Sequence, residues 1–162
     1  MAGTDITIRP VTRDDAAQWH HLYTGYAEFY RVEQTAEMRD TVLSWLLDDA
    51  HTSQGLVAEA SDGTLAGLAH FRPFARPLSA STGMYLDDLF VDPEHRGSGA
   101  ARLLLAGLAR IAADRGWTLA RWITRDDNYR ARGLYDQVAA RTDWITYDMP
   151  PADARRPPAR ER

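Results

Sequence analysis

The residues with the plainest chemical use lie in one run, Arg96-Gly97-Ser98-Gly99-Ala100-Ala101-Arg102. Small residues at a helix start let an anion approach backbone N–H groups that have no partner in the first turn, where the helix dipole is positive. A run of this kind can cradle a pyrophosphate, and a tight strand-to-helix turn is the plainer alternative for an isolated Gly-x-Gly. The dinucleotide pattern GxGxxG fails, because Arg102 stands at the last glycine position. Just upstream, Asp87 and Asp88 interrupt an otherwise apolar segment from Met84 to Val91. An alkylammonium with a pKa of about 10.4 is free base in roughly one molecule in 2,500 at neutral pH, a cost of about 4.6 kcal/mol. Any chemistry on an amine therefore needs a proton acceptor, and a carboxylate reached directly or through water can supply one. A solvated edge or an ion pair with arginine is the competing role for the same pair. Farther on, Tyr135 follows Asn128 and Ala131 at fixed spacing; a phenol can donate to a departing anion, or it can simply fill a core.

Composition narrows the chemistry. There is no cysteine, so no disulfide, thiolate nucleophile or cysteine-held zinc can form. All basic residues are arginine, which removes both the P-loop lysine and a Schiff base on this chain. His20, His21, His51, His70 and His95 show no metal-binding spacing, so no metal is expected and surface or core roles are the default.

The elements that must hold these groups are legible from periodicity. Ile6 to Arg9 alternates as a strand, and Thr12 followed by Asp14 and Asp15 marks the start of a helix reaching about Arg31. Thr35 caps a second helix to about Ala50, with Met38, Val42, Trp45 and Leu46 on one stripe. Gly55–Ala60 and Thr64–Phe71 flank an Asp62-Gly63 turn and read as a hairpin. After a connection containing Pro73 and Pro77, a strand runs from Met84 to Val91; by period two, Asp88 lies on the face opposite Asp87. A glycine turn then feeds a helix bearing Leu104, Leu108 and Ile111, ended by Gly116, and a strand follows over Thr118–Thr124. Strand, helix and strand imply a parallel pair with a right-handed crossover. A helix over Asn128–Gln137 and a strand over Asp143–Tyr147 complete the order β-α-α-β-β-β-α-β-α-β, an α/β mixed sheet. Residues 1–149 are expected to form one domain and residues 150–162 a disordered Pro/Arg-rich tail.

Taken together, Arg96-x-x-Gly99-x-Ala101, Tyr85-Leu86-Asp87-Asp88-Leu89-Phe90-Val91 and Asn128-x-x-Ala131-x-x-Leu134-Tyr135 resemble the motifs of the GCN5-related N-acetyltransferase (GNAT) superfamily. The nearest branch is the polyamine and histone type. The resemblance is tight over residues 85–148 and looser before them. It implies a sheet whose fourth strand bulges and splays from the fifth, exposing backbone groups to a pantetheine arm. It further implies acetyl-CoA as cosubstrate, with Leu89, Phe90 and Val91 along that arm, Arg96, Gly97, Ser98, Gly99, Ala100, Ala101 and Arg102 at the pyrophosphate, and Asn128 as a second anchor. Asp87 takes the place of the family's glutamate as proton acceptor, its shorter side chain favouring an intervening water, and Tyr135 that of the general acid. Glu28, Phe29, Tyr30, Asp87 and Trp122 fall near acceptor-lining positions, with Arg121 beside them. The implied activity is direct transfer of acetyl to a primary amine of a small, polyamine-like cation; acetylation of protein lysines or N-termini, or acyl-CoA sensing without turnover, are the alternatives. A homodimer through the C-terminal strand is implied as well.

Charge fits a cationic acceptor. The chain is −4 overall, and residues 151–162 carry four arginines against Asp153 and Glu161, so setting that +2 aside leaves −6 for the rest. An acidic body disfavours phosphate-tracking nucleic-acid binding. No apolar run is long enough to span a membrane, and charged residues from Asp5 onward are unlike an export signal, so a cytoplasmic protein is expected.

Overall fold

The computed structural model describes residues 5–152, which fall into two compact units divided after Thr124. In the first unit, β1 (Ile6–Pro10), β2 (Gln54–Ala60), β3 (Leu65–Arg76), β4 (Ser81–Val91) and β5 (Ala120–Arg121) form one sheet in sequential order. Neighbours are antiparallel up to β4, and β4 and β5 are parallel. The mixed α/β class expected from the sequence is the one found.

Helices cover both faces of the sheet. On one side lie α1 (Ala16–Tyr30) and α2 (Ala36–Leu46), where Trp19, Leu22 and Leu43 close over Val57, Leu68 and Phe90. On the other lies α3 (Ala100–Asp114), whose Gly107 backs onto Ile8 and Leu56 and whose Leu104 and Leu108 are fully buried. Leu56 and Val57 are neighbours in β2 and so face opposite helices, as the pleat requires. The second helix begins where its sequence says, and α1 begins at Ala16 after a 3-10 turn over Arg13–Asp15 that follows Thr12. Thr35 accepts the Met38 amide at 3.2 Å. Before α1, the Thr12 amide and hydroxyl donate to Asp15 at 2.7 and 3.0 Å. Arg9 clamps the same carboxylate through two nitrogens at 2.7 and 2.8 Å, which holds the Asp15 carboxyl below the ordinary carboxylate range. At the end of α3, the Trp117 amide reaches Ala112 at 2.8 Å around Gly116, whose φ is 66°.

Several boundaries differ from those read in the sequence. The second helix stops at Leu46 rather than Ala50, because the Ala50 amide turns back to the Asp48 side chain at 2.9 Å. Pro73 lies inside β3, which continues to Arg76. Beyond Phe71 that strand has no β2 partner, so a residue without an N–H costs nothing on the open side. The strand expected over Thr118–Thr124 shrinks to two residues.

The second unit contains α4 (Tyr129–Val138), with Asn128 at its N-cap. The strand expected over Asp143–Tyr147 does not form, and residues 139–152 carry no regular structure. Its alternation of Trp144, Ile145 and Tyr147 leaves all three exposed, since a strand pattern without a partner ladder has nothing to pair with. Of the tail expected over 150–162, residues 153–162 lie outside the described residues. No described helix is long and apolar enough to cross a membrane.

Candidate active site

The site is built around an irregularity in β4. His70 stands opposite Asp88 and Phe71 opposite Leu86, so Asp87 is an extra residue, a β-bulge. The bulge breaks the period-two alternation, which corrects the opposite-face expectation for the two carboxylates. Asp88 meets His70, Asp87 meets Arg72, and His70 and Arg72 are two apart in β3 and share a face. Both acids therefore point to the α1 side.

Their environments differ. Asp88 accepts from His70 Nδ1 at 2.8 Å and from the Tyr23 hydroxyl at 3.0 Å, with the Tyr26 phenol near enough to add to their effect. Burial alone would raise the Asp88 carboxyl, but these donors outweigh it and hold it below the ordinary carboxylate range. Trp19 Nε1 donates to His70 Nε2 at 3.0 Å. An indole is a donor only, so the imidazole proton must sit on Nδ1, toward Asp88. Trp19, His70, Asp88 and Tyr23 thus form one connected chain of hydrogen bonds, with Asp88 Oδ2 taking both the imidazole and the phenol. Burial pushes the Tyr23 and Tyr26 phenols up, with the Asp88 charge adding to it.

Asp87 is half-exposed and paired with Arg72 Nε at 3.1 Å. Partial burial raises its carboxyl above the ordinary range; Arg72 offsets part of this and the neighbouring Asp88 charge adds to it. A carboxyl moved toward neutrality is a better proton acceptor at working pH than an ordinary one. Sequence reasoning did not find His70, and it did not pair the Tyr23 hydroxyl with Asp88. His70 becomes legible only through a strand pairing across the bulge.

The backbone beside the bulge is open. Among the described residues the β4–β5 pairing holds only Met84 to Ala120 and Tyr85 to Arg121, so Leu86–Val91 has β3 on one side and no described strand on the other. Leu89 and Val91 in this stretch are half-buried, whereas the Phe90 ring is buried against Tyr26. The expected parting of the fourth and fifth strands is thus present.

Downstream, Gly97 and Gly99 adopt φ of 84° and 89°, with no atom near where a Cβ would stand. Both glycines are required by conformation rather than by crowding. Among the described residues the amides of Gly97, Gly99 and Ala101 have no backbone partner, while Ala100 N donates to the Ser98 hydroxyl at 3.3 Å. No acidic residue lies in the first turn of α3, so nothing competes with an anion there. Arg96 and the helix dipole add positive charge, and this arrangement fits the pyrophosphate of acetyl-CoA.

Of the residues expected to line the acceptor, Tyr30 packs edge-on to Tyr26 at 5.0 Å and Phe29 to Tyr30 at 5.0 Å, and Tyr26 stacks on Tyr23, which bonds Asp88. Glu28 and Phe29 are exposed at the end of α1, and Trp122 follows β5 directly and is half-buried. In the second unit, Asn128 caps α4 and Tyr135 sits half-buried in its last two turns.

The GNAT acetyltransferase family model matches residues 19–139. The chain belongs to the GNAT family. A D-amino-acid N-acetyltransferase of Saccharomyces cerevisiae is 26% identical over 91% of this chain and 92% of its own. An uncharacterised N-acetyltransferase of Bacillus subtilis is 32% identical over 82% and 87%. Among solved structures, a ribosomal-protein-alanine N-acetyltransferase of Brucella melitensis biovar Abortus superposes with a TM-score of 0.75 at 27% identity, covering 90% of this chain and 99% of that one. This GNAT chain is an acetyl-CoA-dependent N-acetyltransferase, and acetyl-CoA is its cosubstrate.

Proposed function

We propose that this GNAT enzyme acetylates a primary amine of a small molecule by direct transfer, with amine and cosubstrate held together and no acyl-enzyme. The observation that carries the reading is the bulge, which brings a carboxylate with raised pKa to the start of the stretch where β4 is open. The thioester supplies the activated acetyl group. The Gly97, Gly99 and Ala101 amides hold its diphosphate, and the open edge along Leu89–Val91 hydrogen-bonds the pantetheine arm. One backbone N–H there, that of Leu89, receives the developing negative charge on the acetyl oxygen. Asp87 takes the ammonium proton through a water, while Arg72 keeps that carboxylate in place. Tyr135 donates a proton to the departing thiolate and Asn128 gives a second cofactor contact; both roles rest on the motif.

A small amine is favoured over a protein lysine by the yeast relative, whose named acceptors are D-amino acids. The test is release of free CoA from acetyl-CoA with a panel of amines, repeated with Tyr135→Phe at saturating cofactor. Turnover should fall about a hundredfold to ten-thousandfold for a lost general acid. An unchanged kcat removes Tyr135 from the mechanism, and no release with any amine removes the catalytic reading. A cytoplasmic homodimer belongs to the same proposal, and sedimentation as a monomer would end the dimer part of it.

A further inference from the structure

Beyond the end of α1, the same face of the sheet that carries Asp87 and Asp88 continues as a row of guanidinium groups. Register places Arg72 opposite Tyr85 and Tyr85 opposite Arg121, so the three side chains lie in line across β3, β4 and β5. With strands about 4.8 Å apart, the two arginine Cα atoms are roughly 10 Å from each other. Phe74 is two residues from Arg72 on the same face. Its ring lies across Gly83, where a Cβ would come within 2.7 Å of it. The Arg121 guanidinium rests over that ring at 5.6 Å, and Arg72 rests over Tyr85 at 4.8 Å. The aromatic floor thus holds both forks in place.

Charge on this face is out of balance. Arg72 is paired with Asp87 and Arg76 donates to the Thr118 hydroxyl at 2.7 Å. Arg121 is exposed and, among the described residues, has no acidic partner. An excess of positive charge beside the proton acceptor repels a second ammonium group, which a polyamine would have to place nearby. It attracts a carboxylate, whose geometry matches the guanidinium fork. Tyr85, between the two arginines, provides a flat surface for the carbon skeleton of such an acceptor.

We propose that Arg121, backed by Arg72 and the Phe74–Tyr85 floor, reads a carboxylate on the acceptor, so that the preferred acceptor is a free amino acid rather than a polyamine or a peptide N-terminus. This rests on the small-amine acetyltransferase reading above and specifies its substrate class. The contact requires no movement of the sheet, since Arg121 already projects from the short strand that borders the opening in β4.

The experiment uses acceptor pairs that differ in the carboxylate: ornithine against 1,4-diaminobutane, and phenylalanine against phenylalaninamide, in both enantiomers, followed by CoA release. The native enzyme should favour the carboxylate-bearing member of its accepted pair by about tenfold to a hundredfold in kcat/KM, the range of a charge-assisted hydrogen bond. Arg121→Gln should bring that ratio near one, Arg121→Lys should restore part of it, and Arg121→Glu should invert it. Because each ratio is measured within one preparation, a partly folded variant does not disturb it. Equal use of the amine or amide by the native enzyme overturns the carboxylate reading while leaving the acetyltransferase proposal standing. A ratio unmoved by Arg121→Gln overturns the role of Arg121. If no member of either pair nor any amine of the wider panel releases CoA, the acetyltransferase proposal itself has failed and this one goes with it.

Discussion

Asp88 offers the sharpest test of how the bulge is held. Replacing it by leucine keeps the branching of the native side chain but strands two donors, His70 Nδ1 and the Tyr23 hydroxyl. A buried donor left without a partner costs about 1–3 kcal/mol. The phenol hydroxyl can rotate to another partner, so the expected loss is about 2–4 kcal/mol, a large part of the 5–15 kcal/mol typical of a domain. Asp88→Asn can still accept from His70 and loses only the charge assistance, so about 1–2 kcal/mol is expected. With a urea slope of about 2 kcal/mol per molar, the midpoint should fall by about 1–2 M for leucine and by about 0.5–1 M for asparagine. The pH dependence has a definite sign. The folded Asp88 carboxyl lies below its unfolded value, so its stabilisation is full above the ordinary carboxylate pKa of about 3.9 and is lost as pH falls through the lower folded value. The gap between native protein and Asp88→Asn should therefore be constant near neutrality and close on acidification. A leucine variant within 1 kcal/mol of the native protein, or a gap that widens toward low pH, would show that this chain of donors does not hold β4.

The remaining expectations are briefer. Gly97→Ala or Gly99→Ala puts a Cβ on left-handed backbone at about 1–2 kcal/mol; titration calorimetry should show weaker CoA binding, and native affinity in both variants would contradict the cradle. Asp87→Asn should remove an acidic limb of the kcat–pH profile that lies above the ordinary carboxylate range, because the raised carboxyl loses activity as it protonates on lowering pH; an unaltered profile argues for another base.

What the sequence determined on its own was local. The Thr35 cap, the Asp62-Gly63 turn, the glycine-rich start of α3 and its Gly116 stop each depend on a few neighbouring residues, and so were readable without knowing what they packed against. The backbone shape proposed to hold a phosphate belongs to this group, since positive φ at Gly97 and Gly99 and first-turn amides without backbone partners are properties of one short segment. The face of Asp88 was not local. Period two placed it opposite Asp87, and only the pairing of β4 with β3, which leaves Asp87 as an extra residue, turned both carboxylates to one side. The same pairing brought His70 to Asp88 and let Trp19, from a helix fifty residues earlier, fix its proton. Pro73 was tolerated inside a strand because β2 had already ended, and the alternating Trp144-to-Tyr147 segment formed no strand. Strand pattern shows what a segment is able to pair with; whether the ladder exists is settled by a partner far away in the chain.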